Sequence, residues 1–335
     1  MLDPSSAAAE SAGIFGLRHT PRSARVILIP VPFEATTSSG GTSEGPAAIL
    51  RASRQVDLFD PETGNPSESG ICLLEESPDV RAWDLAARTA ASHVLARGGV
   101  GEPADPALLG AAASVDALVE KMNAHVRATA DLFLRRGKIV GTVGGDHSVS
   151  FGAIEAHAAR YPGLGLLHLG ARAGLRRAWQ GFTWSQASAL ENVLSRLPGV
   201  ARLVQVGIRD LCEEERQRIA GSEGRVVPFF DAQLAEARLA GETWDSQCAR
   251  IAGALPRDVY VSVDLGALEP PTGAKVHGGL GFQMASSLLG AVVRGGRRIV
   301  GFDLTGAAPA RDGSEGDENV GARVLYQLCG WTLKC

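Results

Sequence analysis

The chain has 335 residues, 45% of them hydrophobic, enough to bury one large core and with nothing that requires a second. Its 33 basic and 37 acidic residues give a formal charge of −4, which supplies no basic field for nucleic acid. No apolar run approaches the roughly 20 residues of a membrane span, so neither nucleic acid nor a membrane is an expected partner.

In chain order, residues 1–23 carry Asp3 early and lack the basic, apolar, small-residue order of a secretory leader. They read as a flexible tail before a single domain over 24–335, with the cytoplasm as the expected compartment. Apolar runs at 25–31, 138–143, 164–169, 202–208, 225–229, 258–264 and 298–304 read as strands. Helical stretches at 111–136, 150–160, 186–197, 213–221, 231–253, 281–295 and 317–328 alternate with them. This alternation predicts a three-layer α/β/α fold, a doubly wound and mainly parallel sheet, with ligands bound beyond the carboxyl ends of the strands. The Gly- and Pro-rich stretch 98–110 and the acidic stretch 310–319 read as loops.

Five cysteines, Cys72, Cys212, Cys248, Cys329 and Cys335, are scattered without a Cys-x-x-Cys pair. Neither a disulfide framework nor a thiolate zinc site is expected. The Gly-rich stretch at 40–45 has no following Gly-Lys-Ser/Thr and is not a phosphate loop.

The run Gly144, Gly145, Asp146, His147 and Ser148 closely resembles the first metal motif of the arginase and agmatinase family of ureohydrolases. Residues 30–60 resemble the agmatinase-type N-terminal block, and Val206 to Arg209 the family's Val-Gly-Ile-Arg strand end. Ser262, Val263 and Asp264, then Gly278, Gly279 and Leu280, resemble the second metal motif and a Gly-Gly-Leu helix start. The closing strand is matched at 300–309. The resemblance implies the ureohydrolase fold and a hydrolase that releases urea from a guanidino compound. It also implies two Mn²⁺ ions sharing a hydroxide, because metal binding lowers the pKa of water from 15.7 to roughly 7.

Several positions depart from the family pattern. Where the family has Asp-x-His-x-Asp, this chain has Gly170, Arg172 and Gly174. The Asp-x-Asp motif becomes Asp264 and Gly266, the catalytic-loop histidine becomes Gln186, and the substrate-pairing glutamate becomes Gly306. Glycine has no side chain and a guanidinium offers donors only. Of the family's metal positions only His147 and Asp264 retain ligating side chains, so no dinuclear metal centre and no metal cofactor is expected. Arg172 is expected to enter the emptied pocket and pair with Asp264. Asp146 and His168 are expected to line the pocket, Asp146 fixing its loop through backbone N–H groups, and a relocated metal site of His147, His168 and Asp264 is conceivable.

The resulting expectation is a degenerate, non-catalytic paralogue acting as a regulatory, scaffolding or ligand-binding subunit, with catalytic residues unknown. It would form a homo-oligomer, trimer or hexamer, or join an active relative, and could hold a small molecule in the cleft. The alternative is an active amidinohydrolase of the agmatinase type, releasing urea through an atypical metal site.

Overall fold

The computed structural model describes residues 12–37, 40–269, 276–309 and 316–335. Eight strands form one parallel sheet: β1 (Val26–Val31), β2 (Ile71–Leu73), β3 (Ile139–Gly144), β4 (Leu164–Leu169), β5 (Val200–Ile208), β6 (Val226–Phe230), β7 (Asp258–Asp264) and β8 (Arg298–Thr305). Their order across the sheet is β2-β1-β3-β8-β7-β4-β5-β6, and every adjacent pair runs parallel. Strands β1 and β4 are buried from end to end, which explains why Val, Ile and Leu predominate in them.

The helices are α1 (Gly45–Ala52), α2 (Pro78–Leu95), α3 (Pro106–Arg135), α4 (Ser150–Arg160), α5 (Ala189–Arg196), α6 (Glu213–Ala220), α7 (Asp231–Leu239), α8 (Trp244–Ala254), α9 (Phe282–Arg294) and α10 (Asp317–Leu333). Apolar residues of α2 to α5 form one core against the sheet, and those of α1 and α7 to α10 form a second on the opposite face. The three-layer architecture is therefore as the alternation predicts. No helix among the described residues is long and apolar enough to cross a membrane.

Several elements differ from their sequence reading for local reasons. The long helix expected at 231–253 is two helices, because Gly241 adopts φ +99° and Thr243 Oγ1 then accepts the N–H of Ser246 at 3.2 Å to start α8. Helix α3 begins before 111, since Asp105 accepts the N–H of Ala107 at 2.8 Å and Pro106 occupies the first helical position. The loop expected over 98–110 thus ends at Asp105. Within the segment read as a tail, Ile14 and Phe15 are buried, and the Phe15 N–H donates to Ser53 Oγ at 2.9 Å. Residues 1–11 of that tail and 310–315 of the acidic loop lie outside the described residues. All five cysteines are free.

Candidate active site

The carboxyl ends of β3, β8, β7, β4 and β5 lie side by side at one edge of the parallel sheet, where such sheets form their ligand cleft. After β3 the chain turns against Phe33, where a Cβ at Gly145 would stand 2.0 Å from the Phe33 carbonyl oxygen, so only glycine fits. Asp146 then accepts the Ser148 N–H at 3.0 Å, the Ser148 hydroxyl at 2.5 Å and the Thr37 hydroxyl at 2.7 Å. These bonds shape the turn that carries His147, while complete burial pushes the Asp146 carboxyl up to about 6.

Beneath the cleft the sheet carries a polar row. Thr142, Asp303, Ser262, His168 and Gln205 stand side by side on β3, β8, β7, β4 and β5, in direct register. All five are buried, none more than 1% exposed. His147 reaches down to it, its Nε2 lying 2.8 Å from Ser262 Oγ, which donates to Asp303 Oδ1 at 2.8 Å. The His168 ring stacks on His147 with centroids 4.9 Å apart and planes 14° from parallel. Burial lowers the pKa of both rings, His168 well below its ordinary value with the adjacent His147 adding to the effect, and Asp264 opposing it at His147. Both imidazoles are therefore neutral. Burial also pushes Asp303 up to about 7.

The positions singled out in the sequence gather here, although not in the arrangement expected. Asp264 is half-buried and its Oδ1 accepts the Gly266 N–H at 2.7 Å. A Cβ at Gly170 would meet His168 Cε1 and Nε2, each at 2.4 Å, so the imidazole edge stands where a side chain at 170 would project. Gly174 has φ +65°, and the Gln186 carbonyl lies 3.8 Å from its Cβ position.

The expected Arg172–Asp264 pair is not formed. Arg172 Nε donates to Asp210 Oδ2 at 3.0 Å, an exposed pair joined by a backbone bridge between the same two residues. Pairing at the surface spares both groups the desolvation that a buried ion pair would incur. Arg209 feels the charge of Asp231 and, to a lesser extent, Asp264, and its guanidinium donates to the carbonyls of Gly207 at 3.1 Å, Gly266 at 2.8 Å, Val276 at 3.1 Å and His277 at 3.0 Å.

The family model for arginases matches residues 24–330. The chain belongs to the arginase family. It is 32% identical over 325 residues to the N(1)-aminopropylagmatine ureohydrolase of Thermus thermophilus, covering 95% of this chain and 94% of that protein. A Synechocystis protein of the same name is 27% identical over 314 residues, covering 92% and 89%. Among solved structures, proclavaminate amidino hydrolase from Streptomyces clavuligerus superposes with a TM-score of 0.71 at 18% identity, over 98% of this chain and 99% of that one. Agmatine ureohydrolase of Thermoplasma volcanium gives 0.70 at 20% identity, over 94% and 92%.

These relatives correct one expectation. Proteins named as ureohydrolases match this arginase-family chain almost end to end, at 31 and 32% identity over 95% of its length. The reading as a non-catalytic regulatory or scaffolding subunit gives way to that of an amidinohydrolase.

The family would place two Mn²⁺ ions in this cleft, and the residues do not fit that pair. The family positions supply one neutral imidazole, His147, and one carboxylate, Asp264, where two doubly charged ions call for several hard, anionic donors. Among the described residues no three His, Cys, Asp or Glu side chains converge as a metal-binding group. His147, His168 and Asp264, the relocated trio, form no such group, and Nδ1 of His168 is engaged by Gln205 at 3.2 Å.

Sequence reading did not single out Gln205 or Asp303, and placed Ser262 and Arg209 only within family motifs. The first three were detectable as polar residues inside otherwise apolar strand runs, a pattern that a parallel sheet buried on both faces seldom carries.

Proposed function

We propose that this chain is an amidinohydrolase of the agmatinase type, which hydrolyses a guanidino compound to urea and an amine through a site whose ligand set departs from the family pattern. The observation that carries this reading is the end-to-end similarity to N(1)-aminopropylagmatine ureohydrolases. The cleft supports it with a half-buried carboxylate, Asp264, able to accept from a guanidinium N–H. Close enough to Asp264 to feel its charge, the buried ring of His147 stacks on that of His168. A linear amine tail on the guanidino group, as in the compound for which the relatives are named, is the proposed substrate class. The proposal also takes the enzyme to be cytoplasmic and self-associating, as the sequence reading expects, with sedimentation of the purified chain as the check on assembly.

The deciding assay is urea release by the purified full chain from N(1)-aminopropylagmatine, agmatine and arginine, each with and without added Mn²⁺. Urea from at least one substrate, reduced at least tenfold by His147→Ala, is the expected result. No urea from any of them under either condition overturns the reading.

A further inference from the structure

Hydrogen-bond directions in the polar row decide which nitrogen carries the proton on each cleft histidine. Gln205 Nε2 lies 2.8 Å from the carbonyl oxygen of Ala173. An amide oxygen there would face another oxygen, so the amide orientation is fixed with its NH₂ on that side. The same nitrogen lies 3.2 Å from His168 Nδ1, which accepts from it. The proton of the neutral ring is then on Nε2, a buried atom with no hydrogen-bond partner. At the neighbouring strand Ser262 Oγ donates its one proton to the ionised Asp303 carboxylate, at Oδ1 and 2.8 Å, so in that state the same oxygen accepts from His147 Nε2 at 2.8 Å. The lone pair of the His147 ring is therefore on Nδ1.

We propose that Gln205 and the Ser262–Asp303 pair are positioning residues that lock His168 and His147 as Nε2–H tautomers, so that the cleft offers one ring lone pair, on His147, and one ring N–H, on His168, which binds a carbonyl or water oxygen. A buried N–H without a partner has lost its hydration with nothing in return, and an oxygen acceptor removes that penalty on binding. A ring N–H has no lone pair to give a cation, so in this tautomer His168 serves as an oxygen donor site and not as a metal ligand. The inference rests on the amidinohydrolase reading only for the identity of that oxygen, the carbonyl of urea or the water from which it derives.

The test uses the full chain with ¹⁵N-labelled histidine, whose long-range nitrogen–proton spectra distinguish the two tautomers directly. His147→Phe and His168→Phe assign the signals. The expected pattern is Nε2–H for both rings, with Ser262→Ala converting His147 to a mixture, Gln205→Met doing so for His168, and each variant sparing the other ring. Added urea is expected to shift the His168 Nε2 resonance. A wild-type His168 protonated on Nδ1 overturns the proposal even if neither variant folds, and so does an Nε2 resonance that saturating urea leaves unmoved. Locked tautomers and a urea-induced shift in a protein that releases no urea would sustain this inference while removing the amidinohydrolase reading.

Discussion

Asp264 Oδ1 stands in the space that a side chain at Gly306 would enter, 2.7 Å from where its Cβ would sit, on a backbone with φ +83°. Any substitution there meets both an unfavourable left-handed conformation and an oxygen it must displace. Gly306→Ala is expected to cost about 2 kcal/mol, visible as a Tm lower by roughly 4 °C. Asp264→Ala in the same chain should recover part of that loss. An equal penalty with and without the Asp264 side chain would show that the two positions do not compete for the same volume.

The two arginines near the cleft should behave differently. Arg172 and Asp210 are an exposed pair, so Arg172→Ala should change stability by no more than about 0.5 kcal/mol. Arg209 gathers four backbone carbonyls from three segments, and Arg209→Met leaves them without their donor. A loss of about 3 kcal/mol is expected. Midpoints of urea denaturation for the two variants are the comparison, and a larger loss for Arg172→Ala would reverse the assignment of partners.

Asp84 sets a pH dependence beside the Asp146 turn, whose charge it feels along with that of Glu34. Burial pushes its carboxyl up to about 6 from an ordinary 3.8, despite the Glu34 N–H at 2.8 Å and Arg88 nearby. A folded-state pKa above the unfolded value means that protonation favours the fold. The contribution is fully present below 3.8 and is lost as pH rises through about 6. Up to about 3 kcal/mol is at stake between pH 4 and pH 8. Asp84→Asn keeps an acceptor for Glu34 and removes the charge, so its Tm should fall less than that of wild type between pH 5 and pH 8. Parallel curves would refute the shift.

The donor set also makes a prediction about metal content. Elemental analysis of protein purified from Mn²⁺-supplemented cells should find well under two ions per chain. The Tm should change little with EDTA or added Mn²⁺, because a ligand that does not bind the folded state cannot stabilise it. Two tightly held ions per chain, or a Mn²⁺-dependent rise of many degrees, would contradict the ligand reading drawn from Gly170, Arg172, Gly174 and Gly266.

Most of the sheet was readable because its strands are buried on both faces and announce themselves as apolar runs; Asp258–Asp264 was bounded correctly by the sequence alone. The missed strand, Ile71–Leu73, is three residues at the sheet edge, too short for any periodicity to register. Helix Pro78–Leu95 went unread although its buried face recurs at Val80, Asp84, Ala87, Ala91 and Val94, at helical spacing. In the site, the motifs located His147 and Asp264, because those positions are local in sequence. The partner of Arg172 was not readable, since it depends on a bridge to Asp210 across 38 residues. Nor was the polar row, whose members become neighbours only once the register of five strands is set.

That row has a consequence for how the chain finds its fold. Parallel strands rich in Val, Ile and Leu are nearly interchangeable, and sliding one past its neighbour by two residues would still bury apolar side chains. It would, however, separate Ser262 from Asp303 or His168 from Gln205 and strand each in hydrocarbon. The five polar side chains thus act as a combination lock for strand alignment, penalising misaligned sheets that greasy contacts alone would tolerate.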